Sequence, residues 1–126
     1  MDTKKVPKIL IVDDNEELCS VYREALEEAG YGIATAQNGK QALDKIEEDH
    51  FDLILADKNM PQMGGVRLLK AVRKKDPNIK VVLITAFGGQ KSYLEAMEQG
   101  ADEFLNKPLR IEELKQFVSN ILNQPS

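Results

Sequence analysis

Apolar residues along this chain follow two alternating rhythms. Short unbroken runs, Ile9-Leu-Ile-Val12, Leu53-Ile-Leu-Ala56 and Val81-Val-Leu-Ile84, contain no polar alternation. Such runs predict strands buried on both faces. Tyr31 to Ala36 predicts a weaker, more exposed second strand, and Glu103-Phe-Leu105 a short fifth. Between them the apolar positions recur at helical spacing. Leu18, Val21, Tyr22, Ala25, Leu26 and Ala29 mark a first helix over about 15–29, with Cys19 beside the stripe. Ala42, Leu43 and Ile46 mark a second helix, and Val66, Leu68, Leu69 and Val72 a third. Tyr93, Leu94 and Met97 suggest a fourth, and Ile111, Leu114, Phe117, Val118, Ile121 and Leu122 a fifth. Gly30, Asp76-Pro77-Asn78 and Gly100 end helices, and Asn38-Gly39 reads as a turn.

Five strands alternating with five helices predict an α/β fold: a doubly wound parallel sheet with helices on both faces and right-handed crossovers. The strand order expected at this size is 2-1-3-4-5, the flavodoxin-like arrangement. A length of 126 residues fits a single domain, with its core at about 8–122. A net charge of -4 offers no basic face for nucleic acid. Cys19 is the only cysteine, so neither a disulfide framework nor a cysteine metal site is available, and a cytoplasmic setting is expected. The apolar run after Lys4, Lys5 and Lys8 is too short for a signal peptide or a membrane span. His50 has no cysteine or histidine at ligand spacing and receives no role.

The chemistry lies where the strands stop. The first ends on Asp13 and Asp14, the third on Asp57 followed by Asn59, the fourth on Thr85, and the fifth on Asn106-Lys107-Pro108. In a parallel sheet these ends share one rim, where ligands of open α/β sheets bind. Each residue has a plainer reading. Asp14 with Glu17 fits a capping box, Thr85 a β-branched strand residue, and Lys107 a solvated turn. Those readings must all hold together, and the joint placement argues against coincidence. Two like charges about 4 Å apart repel by roughly 4 kcal/mol at an effective dielectric near 20. Three clustered carboxylates therefore call for a hard cation, and Mg²⁺ suits few protein ligands combined with water and phosphate. Lys107 adds a positive charge, and Thr85 a hydroxyl able to meet a phosphoryl oxygen.

These features resemble the receiver domain of the two-component response regulators, in its chemotaxis-regulator-like form. The matching residues are Val12-Asp13-Asp14, Asp57-Lys-Asn-Met-Pro61, Gly64-Gly65, Thr85-Ala86 and Lys107-Pro108, and the likeness runs from about Lys8 to Leu122. The resemblance implies a phosphoacceptor signalling switch. Asp57 would take a phosphoryl group from a histidine kinase or histidine phosphotransfer protein. Asp14 and Asp57 would bind Mg²⁺ through their carboxylates, Asn59 through its main-chain carbonyl and Asp13 directly or through water, and Thr85 and Lys107 would bind the phosphoryl group. The Lys107-Pro108 bond would be cis. Thr85 and Phe104 would be the switch pair, the plainer reading of Phe104 being a permanent core aromatic. The output surface toward an effector domain or protein would be helix 4, strand 5 and helix 5. The chain would be no enzyme beyond its own phosphorylation and slow dephosphorylation. It would bind no nucleic acid or membrane directly, and would be a monomer or weak dimer.

In the family, residues at the positions of Lys58, Asn59 and Phe87 tune acyl-phosphate hydrolysis. Phe87 cannot orient a water, which predicts slow self-dephosphorylation. Leu109 and Gly65 read as unremarkable variants. A flavin module on the same fold would need a phosphate cradle where Asp13-Asp14-Asn15-Glu16 stands. An aspartate phosphatase would normally need a cap to select substrate. A non-phosphorylated receiver-like scaffold is the remaining alternative, against which the complete set of acids, Thr85 and Lys107 argues.

Overall fold

A computed structural model of the chain describes residues 6–60, 63–86 and 89–123. Five strands alternate with five helices: β1 (Lys8–Val12), α1 (Glu16–Glu28), β2 (Gly32–Ala36), α2 (Gly39–Glu48), β3 (Leu53–Asp57), α3 (Gly65–Lys75), β4 (Lys80–Thr85), α4 (Gln90–Glu98), β5 (Glu103–Asn106) and α5 (Ile111–Leu122). The strands form one sheet in the order β2-β1-β3-β4-β5. Every neighbouring pair is parallel.

The unbroken apolar runs are explained by what covers the sheet. Side chains of successive strand residues point to opposite faces. Leu10, Val12, Ile54, Ala56, Val81 and Leu83 meet α2, α3 and α4 on one side. Ile9, Ile11, Leu53, Leu55, Val82 and Ile84 meet α1 and α5 on the other. Each face needs its own apolar set, so no polar residue alternates. β3 is central and buried throughout, Asp57 included. β2 lies at the edge and is only half-buried over most of its length, as its weaker pattern predicts.

Several helix details differ from the sequence reading. Val21 is 49% exposed, whereas Cys19 belongs to the buried stripe with Tyr22, Ala25 and Leu26. The first helix is capped by Asn15, whose side chain accepts from the Leu18 N–H at 3.1 Å, so Asp14 is not its cap. Asn38-Gly39 begins α2 instead of forming a separate turn: Asn38 accepts from the Gln41 N–H at 2.9 Å. Both cases are side-chain oxygens meeting otherwise unpaired amides of a first turn. Gly30 and Gly100 follow α1 and α4 with φ of 101° and 99°, the left-handed conformation that favours glycine after a helix. On α4 only Ala96 is fully buried, and Tyr93 and Leu94 stay exposed.

Candidate functional site

The parallel register brings the strand ends together. Asp57 lies opposite Ile84, one residue before Thr85, and Thr85 lies opposite Asn106, one residue before Lys107. Main-chain bonds extend the sheet past its formal ends: the Lys58 N–H donates to the Ile84 carbonyl and the Lys107 N–H to the Thr85 carbonyl, each at 2.8 Å. The acidic loop after β1 is tied in by the Asp13 N–H to the Ala36 carbonyl, 3.0 Å. These bonds fix the roots of the polar side chains on one rim.

Asp13 and Asp57 are buried and Asp14 is exposed. Carboxylate oxygens of all three lie within 4.8 Å of one another. Lys107 reaches between two of them, its Nζ donating to Asp13 Oδ2 at 2.9 Å and to Asp57 Oδ2 at 3.1 Å. Asp57 Oδ1 accepts from the Asn59 N–H at 3.0 Å, and Asp13 Oδ1 from the Asn15 N–H at 2.9 Å. The donor set of three carboxylates fits a hard divalent cation, whose ligands are oxygens. Lys107 alone leaves the cluster negative.

Burial raises the Asp57 carboxyl above its ordinary value, and the Asn59 amide and Lys107 only partly offset this. Burial also lowers the Lys107 ammonium, but hydrogen bonds to Asp13 and Asp57 outweigh it and the net shift is upward. Both shifts are upward, although pairing that raises Lys107 would by itself lower Asp57; at Asp57 burial outweighs the pairing. One ammonium shared between two carboxylates is fully engaged, while each carboxylate receives only part of its charge.

Thr85 is completely buried, and its Oγ1 accepts from Asn59 Nδ2 at 3.0 Å. Sequence reasoning placed both residues at the site but missed this bond, which joins side chains 26 positions apart. Phe104 is 7% exposed in the sheet-side core, with its ring edge-on to Tyr93 at 6.1 Å between centroids. The Lys107-Pro108 bond is cis. Gly65 is far from unremarkable. A Cβ there would lie 2.8 Å from the Asp57 carbonyl oxygen and 2.9 Å from Lys58 Cα, so α3 starts hard against the backbone of the central aspartate. Cys19, beneath the acidic loop, donates to the Asp13 carbonyl at 3.4 Å, and burial pushes its thiol up to about 11. Pro61 and Phe87 lie outside the described residues.

Known proteins resemble this chain in sequence and in fold. The transcriptional regulatory protein ZraR of Klebsiella oxytoca is 39% identical over 114 residues, covering 90% of this chain and 26% of that protein. The transcriptional regulatory protein CpxR of Escherichia coli K12 is 39% identical over 117 residues, covering 93% of this chain and 50% of that protein. The chain therefore spans a quarter to a half of the length of these relatives. A CheY-like response regulator receiver domain protein from Methanospirillum hungatei JF-1 has the same fold, with a TM-score of 0.90 and 29% identity. That match covers 94% of this chain and 95% of that one. The family model of the response regulator receiver domain matches residues 9–119, and the chain belongs to that family.

Proposed function

We propose that this receiver domain switches by phosphorylation of Asp57. The observation that carries the reading is the buried Asp57 carboxylate, held by the Asn59 amide and Lys107 beside Asp13 and Asp14. In the transfer, an Asp57 carboxylate oxygen attacks the phosphorus of a phosphohistidine on a histidine kinase or phosphotransfer protein. The P–N bond breaks, its electron pair returns to the imidazole, and an O–P bond forms. Lys107 already lies on Asp57 Oδ2 and would follow the new charge. The Thr85 hydroxyl would turn from Asn59 toward a phosphoryl oxygen. Asp13, Asp14, Asp57 and the Asn59 carbonyl would hold Mg²⁺, which would supply positive charge to the phosphoryl group in transit.

Beyond this self-directed chemistry the domain turns over no substrate. Phe87 would shield the acyl phosphate and keep its hydrolysis slow. Phe87→Glu is expected to shorten the phosphate lifetime, read by the decay of phosphorylated mass; an unchanged lifetime would remove Phe87 from this role. Thr85 and Phe104 would pass the change to a surface of α4, β5 and α5, which an effector domain or protein would read. Couplings of this kind are typically about 1–3 kcal/mol, enough to exchange minor and major conformers. A cytoplasmic monomer or weak dimer without direct nucleic-acid contact fits the reading. Among the described residues no helix is long and apolar enough to cross a membrane.

Intact mass after incubation with acetyl phosphate and Mg²⁺ tests the reading. One added phosphoryl group is expected, with no gain when a chelator is present or in Asp57→Asn. No gain from acetyl phosphate or from a phosphorylated histidine kinase would leave the scaffold alternative.

A further inference from the structure

The residue after Asp57 makes a connection that the phosphoacceptor chemistry does not use. Lys58 is pinned through its main chain on both sides. Its N–H donates to the Ile84 carbonyl at 2.8 Å, and its carbonyl accepts from the Gly65 N–H at 2.9 Å. Its side chain is only 16% exposed and crosses to α4. There Nζ donates to Ser92 Oγ at 3.1 Å and pairs with Glu95 Oε1 at 3.2 Å. Ser92 and Glu95 are three residues apart and so share one face of the helix.

α4 has few other anchors. It is nine residues long, its N-cap is Gly89 with no side-chain bond to the first turn, and Ala96 is its one fully buried residue. On the β5 side Tyr93 sets its ring against Phe104. The helix is thus gripped from two directions, by the switch aromatic and by the lysine that follows the phosphoacceptor.

We propose that Lys58 is a positioning residue that braces α4 to the phosphoacceptor loop. The brace sets the resting position of the helix and carries displacements of that loop to it. Because the Lys58 backbone is fixed to β4 and to the start of α3, a shift in the Asp57 loop moves its side chain as a lever. Ser92 and Glu95 are the points at which α4 feels it. The second half of the proposal, response to the phosphoryl group, rests on the reading of Asp57 given above. The first half does not.

Amide hydrogen exchange of the 90–98 segment tests both halves, using wild type, Lys58→Met, Glu95→Gln, the double variant, Lys58→Arg and the charge swap Lys58→Glu with Glu95→Lys. Without phosphodonor, each single neutral variant should speed exchange in α4 by about two- to fivefold, the range of a partly exposed ion pair. The double variant should be no faster than the singles. Lys58→Arg and the charge swap should recover much of the protection, and urea stability should barely move. Unchanged α4 exchange in both single variants, or fully additive effects, would overturn the brace. With acetyl phosphate and Mg²⁺, phosphorylated wild type should show altered α4 exchange, and phosphorylated Lys58→Met a smaller alteration. An equal alteration in both would overturn the lever. If wild type gains no phosphoryl mass, the Asp57 reading fails instead, while the comparison without phosphodonor still decides the brace.

Discussion

The fold disfavours ionisation of Asp57. Burial raises its carboxyl above the ordinary 3.8 despite two donors, so ionisation costs more in the folded chain than in the unfolded one. For an acid shifted this way, the folded state keeps its proton to higher pH. Stability therefore falls as pH rises through the window above 3.8 and stays lower beyond it. Asp57→Asn should accordingly melt at higher temperature than wild type at neutral pH without metal. Mg²⁺ should raise the melting temperature of wild type more than that of the variant. As pH falls into the same window, protons compete for Asp57 and the Mg²⁺ effect in wild type should fade. A variant no more stable than wild type without metal would contradict the strained-carboxylate account. Cys19 follows the same logic from the opposite chemistry. Buried, donating to the Asp13 carbonyl and pushed up to about 11, it should react with a disulfide reagent at pH 8 far more slowly than after denaturation. Rapid labelling of the folded chain would show that the Asp13 loop above Cys19 opens readily.

At the scale of elements, the site depends on how closely α3 approaches β3. The Gly65 position leaves no room for a Cβ because backbone atoms of Asp57 and Lys58 stand within 2.9 Å. Backbone cannot swing aside as a flexible side chain can. Gly65→Ala should therefore cost about 1–3 kcal/mol, as overpacking does, read by urea unfolding. It should also slow phosphoryl gain, because the displaced atoms belong to Asp57, the proposed nucleophile. Full stability with a wild-type rate would mean that the loop absorbs the methyl group elsewhere. The strands and their polar ends were legible in the sequence because two-sided burial forces unbroken apolar runs, and the interruption at Asp57 therefore stands out. The helices were less legible. Neighbouring apolar residues on α1 left the edge of the stripe open, and packing buried Cys19 while leaving Val21 to solvent. The Gly64-Gly65 pair was visible as a motif, but its crowding was not, since the contact partner is set by how α3 packs and not by local sequence.

For the whole molecule, the strand ends of one sheet collect groups up to 94 positions apart, as in the Lys107–Asp13 pair. Parallel topology made that gathering predictable from the sequence, because every strand of such a sheet ends on the same rim. Its side-chain wiring was not predictable. The Asn59–Thr85 bond and the Lys58 contacts to α4 join loops and helices whose relative placement emerges only from packing. The molecule is thus a parallel sheet carrying a charged rim, with a helix beside it in which only Ala96 is fully buried. One covalent group at the rim would have two routes to that helix, through Thr85 and Phe104 and through Lys58. Both would begin at the same carboxylate.

The most direct measurement of that central claim is chemical mapping of the acyl phosphate. The chain would be phosphorylated with acetyl phosphate and Mg²⁺, reduced with borohydride, digested and sequenced by mass spectrometry. Reduction of an aspartyl phosphate leaves homoserine. The account predicts homoserine at position 57 and intact aspartate at positions 13 and 14. Homoserine at 13 or 14, or none at 57 in a chain that has gained a phosphoryl group, would contradict it.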